Sequence, residues 1–138
     1  MKLIRKSTNE AVPIEDGFLW ADEFSWKPIE QKLERAISGA AIIQEGQKQS
    51  GRPITLEPAN DGMGWIKLRD LRQVQAWSVL QEQFALEFEW PHDTRRFNVI
   101  FNHEVGALEA KPVKGIPAVS LDDYLNVTLR FLELEDGN

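Results

Sequence analysis

Residues 64–90 read GWIKLRDLRQVQAWSVLQEQFALEFEW, and a change of period inside this stretch decides the fold. From Leu68 the apolar residues recur as Leu71, Val74, Trp77 and Leu80, with Arg69, Asp70, Arg72, Gln73, Gln75 and Gln81 between them. Neither Pro nor Gly interrupts Ile66 to Trp90, and Arg, Gln, Leu and Glu favour helix. The pattern predicts a helix near residues 69–81. A strict spacing of three drifts around a helix that turns once per 3.6 residues. Its apolar face is therefore broad and suits a trough contacted on more than one side. From Phe84 the period is two: Phe84, Leu86, Phe88 and Trp90 point one way, Ala85, Glu87 and Glu89 the other. That alternation marks a half-buried strand. A helix laid as a plug against a sheet built from the rest of the chain is the expected arrangement.

Downstream, Pro91-His92-Asp93-Thr94 is a hairpin-length turn. Phe97, Val99 and Phe101 then alternate with Asn98, Ile100 and Asn102, completing an antiparallel hairpin. Leu108, Ala110 and Pro112 continue the style, and Lys114 to Asp123 reads as a loop. Tyr124 to Leu134 is the last strand, with Leu125, Val127, Leu129 and Phe131 inward and Tyr124, Asn126, Thr128 and Arg130 outward. Glu133, Glu135 and Asp136 form a solvated end.

Upstream, Arg52 to Glu57 reads as a short strand, with Pro53 at its first residue or on an edge. A turn cluster follows over Pro58–Gly62. Lys27 to Gly46 is ambiguous. Ile29, Leu33 and Ile37 fall four apart, as in a helix, and Pro28 suits a first turn. Yet Ile29, Gln31, Leu33, Arg35 and Ile37 also share one strand face, and Ala40 to Ile43 is a short buried-type run. Ser38-Gly39 marks either a bulge in one long strand or a break between two. Phe18-Leu19-Trp20 begins a strand. Trp20, Phe24 and Trp26, interleaved with Asp22 and Glu23, are expected to seal one end of the core rather than to stack a ligand. Residues 1–16 are polar and mixed, an arm ordered only if something docks it.

The fold expected is mainly β over residues 17–138. It has about seven antiparallel strands in a sandwich or partly open barrel, with one packed helix. Leu71, Val74, Trp77, Leu86, Phe88, Phe97, Val99, Val127 and Leu129 should form the core.

A length of 138 residues gives one domain, able to bury roughly 65–70% of its unfolded surface without metal or disulfide. The absence of cysteine excludes thiol catalysis, disulfides and cysteine-ligated zinc, and fits a reducing compartment. The net charge of −6 and a pI near 5.0 give no basic footprint for nucleic acid. Arg95–Arg96 is more simply a solvated pair beside a turn. MKLIRK at the start lacks the apolar run of a signal peptide, and no stretch approaches the roughly 20 apolar residues of a membrane helix. A soluble, unexported protein is expected.

Little in the chain points to catalysis. His92 falls in a turn and His103-Glu104 at a strand end, without the spacing of a zinc site. Gly62-Met63-Gly64 is a G-x-G, but Lys67 stands where a dinucleotide fingerprint needs Gly. No phosphate loop or nucleophile elbow is present. Asp122-Asp123 is a weak calcium signal beside a solvated-loop reading. Of the five tryptophans, Trp77 and Trp90 fall on buried faces, so core use outweighs carbohydrate or peptide binding. No cofactor, metal or enzymatic activity is expected.

Several stretches occur together in one order. They are Trp20 with Glu23-Phe24-Ser25-Trp26; Gln44-Glu45-Gly46; Gly51 to Leu56 (GRPITL); Gly64-Trp65-Ile66; Phe97, Val99 and Phe101; Glu109-Ala110 with Pro112; and Tyr124 to Leu132. In these the chain resembles small structural proteins from tail modules of long-tailed bacteriophages and prophages, and within them the ring-forming domain of distal-tail proteins. The resemblance implies that Lys27 to Gly46 is strand. It implies a tail-tube-like β-sandwich or barrel with one helix. It also implies a hexameric ring at the tail tip, joining the tube to the hub or baseplate.

The expected role is accordingly structural: a virion tail protein, made in the bacterial host cytoplasm. Its partners would be itself and the adjacent tube and hub or baseplate proteins, with no nucleic-acid sequence recognition and no membrane. A small acidic intracellular binding or inhibitor module is the alternative, and a hydrolase with unlocated carboxylates a third. The oligomer contact is expected at Ile42, Ile43, Gln44, Glu45, Gly46, Gln47, Lys48, Gly51 and Arg52. Ile42 and Ile43 are consecutive, so in a strand one of them faces away from the core unless a neighbour covers it. Open sheet edges also need blunting or pairing.

Overall fold

The computed structural model of the chain describes residues 1–14, 17–48, 50–60, 63–117 and 119–134. The first strands are β1 (Lys2–Arg5), β2 (Glu10–Pro13), β3 (Phe18–Trp20), β4 (Ile29–Arg35), β5 (Ala41–Gln47), β6 (Pro53–Pro58) and β7 (Trp65–Lys67). Helix α1 (Leu68–Ser78) follows, then β8 (Phe84–Glu87), β9 (Arg96–Phe101), β10 (Leu108–Pro112) and β11 (Tyr124–Glu133).

β11 is the spine. Its period of two is complete: Leu125, Val127, Leu129 and Phe131 are buried and the residues between them half-exposed. One edge pairs with β9 over Phe131–Glu133 and with β10 over Leu125–Leu129. The other pairs with β6 over Leu129–Leu132 and with β7 over Tyr124–Asn126. From β9 the antiparallel sheet continues through β8 and β1 to β2, and from β6 to β3. β2 and β3 end the order unpaired with each other, so the sheet is not a closed barrel. Helix α1 touches β2 toward one end of this order and β7 toward the other. The sheet therefore curls, and the helix closes the gap between its limbs. The fold is mainly β and antiparallel, a sandwich-like sheet with one packed helix.

The helix face is broad, as the spacing of three predicts: Leu71, Val74, Trp77 and Ser78 are buried, and Leu68 and Leu80 are partly buried against the core. The first turn has no side-chain cap. Its Leu68 and Arg69 N–H groups donate instead to the carbonyls of Asp123 and Leu121, at 2.9 and 3.0 Å, and Arg69 pairs with Asp122. The Asp122-Asp123 loop is thus the far side of the helix start. The helix ends at Ser78, three residues short of the expected Gln81. Leu80 N–H turns back onto the Trp77 carbonyl, and the Ser78 carbonyl accepts from His103 Nε2 at 2.7 Å, which fixes the proton on that nitrogen.

Inside, Trp77 stacks on Phe84, which meets Phe101, which meets Phe131, with centroids 5.7, 5.2 and 5.0 Å apart. All nine expected core residues lie in this cluster, with Phe97 packed against it but only partly buried. Ala85, expected outside, is fully buried. It lies in one cross-strand row between Ile4 and Asn98, both larger. The expected strand to Trp90 stops at Glu87; Trp90 instead bridges Asp93 across the turn.

Two expectations are corrected. Residues 1–16 are no free arm: in the described part, β1 pairs with β8 and carries β2 on its outer edge, burying Met1, Leu3, Val12 and Ile14. A short segment flanked by charge is held because β8 supplies a long-range edge. Phe24 seals nothing. It is 94% exposed, whereas Trp20 is buried and Trp26 half-buried. The solvated end at Glu135 and Asp136 and the Asp61-Gly62 part of the turn cluster lie outside the described residues.

Candidate interaction surface

Lys27 to Gly46 resolves as two strands with a break at Ser38-Gly39, not as a helix. β4 and β5 pair in register from Ile29↔Gln47 to Arg35↔Ala41 and form a sheet of their own. Gly39 has φ +88° and its N–H closes the turn on the Ala36 carbonyl at 2.8 Å, while Ala36 N–H bonds the Ala40 carbonyl. A three-residue loop with a left-handed residue at its end is a common hairpin closure, and glycine there carries no Cβ penalty.

Every residue of both strands is exposed. Directly paired residues share a face, so one face carries Ile29, Leu33, Ile43 and Ala41 among Gln31, Glu45, Gln47 and Arg35. The other carries Ile42 among Glu30, Lys32, Glu34, Gln44 and Gly46. Ile42 and Ile43 therefore do face opposite ways, and neither is covered: they are 46% and 59% exposed. Gln31 donates to Glu45 across the strands at 2.9 Å, which helps hold the register but buries nothing, and Lys32 pairs with Glu34 along β4.

The arm springs from a fixed root. Lys48 N–H donates to the Pro28 carbonyl at 2.9 Å, and its ammonium stands 4.5 Å over the Trp26 ring and pairs with Glu30. Gly51 and Arg52, placed by the sequence in the contact, are tied into their own chain. Gly51 N–H donates to the Glu133 carbonyl; the Arg52 guanidinium lies 4.6 Å over Trp20 and donates to the Glu23 carbonyl at 2.8 Å. Asp22 accepts both the N–H and the hydroxyl of Thr55. Arg95 completes the anchor: it bonds Asp93 and Glu23 at 2.7 Å and lies over Trp20, Phe88 and Phe97. The hydrogen bond from Arg95, ahead of all else, holds the Asp93 carboxyl below its ordinary value. Arg95 is raised, first by Asp93 and then by Glu23. This pair is a structural clamp, and Arg96 pairs with Glu87, so neither arginine offers a basic patch.

The sheet edges differ in their protection. β2 carries Pro13 and β10 carries Lys111 and Pro112; β3 and β7 are three residues long. Shortness, lysine and proline all blunt an edge. β5 is seven residues long and has neither proline nor lysine. It is the edge most ready to pair with another strand. The contact expected over residues 42–52 does not include β4 and the tip, where Ile29, Leu33 and Ile37 are bare as well. The available signal was that the helical and the strand readings of this segment each left apolar residues without a partner.

Elsewhere, His92 stacks on Trp90 and His103 is bonded to Ser78, in different loops. Asp123 accepts from the Val119 and Ser120 N–H groups and from Lys114. Among the described residues no group of three or more His, Cys, Asp or Glu could hold a metal, and no helix is long and apolar enough to cross a membrane. The chain matches no protein-family model, and neither a curated protein nor a solved structure is detectably similar to it.

Proposed function

We propose that this chain is a structural, non-enzymatic subunit of a long-tailed bacteriophage or prophage tail. Copies of it form a hexameric ring at the tail tip that joins the tube to the hub or baseplate. They are made in the bacterial host cytoplasm and reside in the virion. The reading rests on the sequence resemblance, and one structural observation carries it further: a bare hairpin with an unprotected β5 edge, mounted on a clamped root. Contiguous exposed apolar side chains mark interaction surfaces. A repeated subunit can cover them and pair the edge at once. A ring requires two different complementary patches per copy and a rotation that closes. Each contact should bury roughly 800 Å² per partner to be stable.

The test is a reconstruction of the intact particle. Density for this chain in a ring at the tail tip, with Ile29–Gln47 against the next copy, is the expected result. The chain's absence from any virion, or a hairpin that touches no other chain there, overturns the reading. A coding position beside tape-measure and hub genes should accompany it; a toxin gene alongside would favour the acidic inhibitor instead.

A further inference from the structure

The hairpin ends in a head unlike its strands. Ala36, Ser38, Gly39 and Ala40 are small, and among them Ile37 stands fully exposed. Arg35 lies just behind, its guanidinium donating to the Gly39 carbonyl at 3.5 Å, and Lys32 is exposed farther down the strand. Seven strand residues span about 23 Å, and none of them is buried against the body. The head is therefore held clear of its own chain.

The body carries a depression of matching character. Where α1 gives way to β8, Leu80, Ile100, Phe101 and Leu134 line a cavity of 380 Å³ with Glu82 and His103 at its polar margin. Two other depressions among the described residues are unlike it. One, of 440 Å³, sets Pro58 and Pro112 among Glu57, Asn60, Lys111 and Asn126. The other, of 550 Å³, lies at the root of the hairpin itself. The charges are complementary too. The head brings Arg35, whereas Lys32 is already paired with Glu34 on its own strand. Beside the Leu80 groove the Glu82 carboxylate is already held by Arg5 and Ser7 at 2.7 Å, so the acid that complements Arg35 is exposed Glu104, which follows His103.

Resting on the ring reading above, we infer that the hairpin head of each copy seats Ile37 in the Leu80–Phe101 groove of the next copy. Head and groove are different patches of one chain, present in equal number, as a closed heterologous ring requires. Seating Ile37 removes one branched aliphatic side chain from water, and pairing Arg35 with Glu104 favours this occupant over an apolar tip that lacks a cation beside it.

The chain has no cysteine, so introduced pairs report cleanly. Ile37→Cys and Gln81→Cys chains, purified separately, mixed at high concentration and mildly oxidised, should cross-link to each other in preference to themselves. A chain bearing both should give a ladder of covalent oligomers. Arg35→Glu on the Ile37→Cys chain should lower the mixed product by about tenfold, and Glu104→Arg on the other chain should restore it. Mixed product no more abundant than either self-product overturns the docking, as does dominant Ile37–Ile37 cross-linking, which would mean hairpins paired about a two-fold axis. Native mass spectrometry of the unaltered chain separates the two readings. Rings without the mixed cross-link overturn the docking and leave the tail reading standing; a solely monomeric chain without the cross-link counts against both.

Discussion

Gly64 has φ +74°, and a Cβ there would lie 2.7 Å from Pro58 Cα, a backbone atom that cannot swing aside. Its carbonyl also accepts the Val127 N–H at 3.0 Å, so the turn is pinned to the central strand. Gly64→Ala is expected to cost about 2–4 kcal/mol by urea unfolding, from left-handed strain plus overpacking. Trp77→Ala and Phe88→Ala, which empty fully enclosed sites, should each cost about 3–5 kcal/mol; a loss below about 1 kcal/mol at both would reverse the assigned faces. Asp93 gives a pH dependence. Its folded value lies below the ordinary 3.8 because Arg95 bonds the ionised form. That stabilisation is complete above the ordinary value and is lost as pH falls through the lowered one. Unfolding free energy should therefore hold from neutral pH to about 4 and fall below it, and Asp93→Asn should flatten part of that acid limb. These residues differ in how far the sequence announced them. Trp77 and Phe88 were legible because burial follows local spacing. Arg95 was not, because Glu23 and Trp20, which turn a solvated cation into a clamp, lie some seventy residues away in the chain.

Elements were legible where one face is dry and the period is clean, as in β11; in β8 only the inward residues were, since Ala85 on its other face is buried too. β1 and β2 were not. Leu3-Ile4 and Ala11-Val12 are short apolar pairs beside Lys2, Arg5 and Glu10, and they become structured because β1 pairs with β8, about eighty residues on, and β2 pairs with β1. The hairpin was ambiguous for the opposite reason. Ile29, Leu33 and Ile37 fit both periods, and no burial selects one, since every residue of β4 and β5 is exposed. Two strands joined by a turn are marginal by themselves. Amides of β4 and β5 should therefore exchange hydrogen far faster than those of β8 and β11, whose opening approaches global unfolding. Gly39→Ala should speed hairpin exchange further, because φ +88° is strained for alanine, yet leave the main transition unmoved. Equal protection in β4 and β11 in the isolated chain would show that the arm is docked on its own body.

At the scale of the whole molecule, one part makes the core and another is left bare, and the two can be separated. The core is spread over α1, the long sheet and the N-terminal strands; among the described residues, none of those buried in it comes from 21–53. The ends of the arm already meet, since Lys48 N–H lies 2.9 Å from the Pro28 carbonyl. Replacing residues 29–47 by Asn-Gly supplies a turn that closes such a gap without strain. Below that cut, the Arg52–Trp20, Asp22–Thr55 and Arg95–Glu23 contacts remain to hold the root. The shortened chain should thus unfold in one cooperative transition, with its Tm within about 2 °C of the full chain. Loss of cooperativity or a larger fall would mean that the arm stabilises the body, against its exposure here. The same chain should fail to enter particles when it replaces the full one, because the β5 edge and the Ile37 head are gone while the body is intact. Particles that assemble normally around the shortened chain would remove the hairpin from assembly, whatever else the ring is built from.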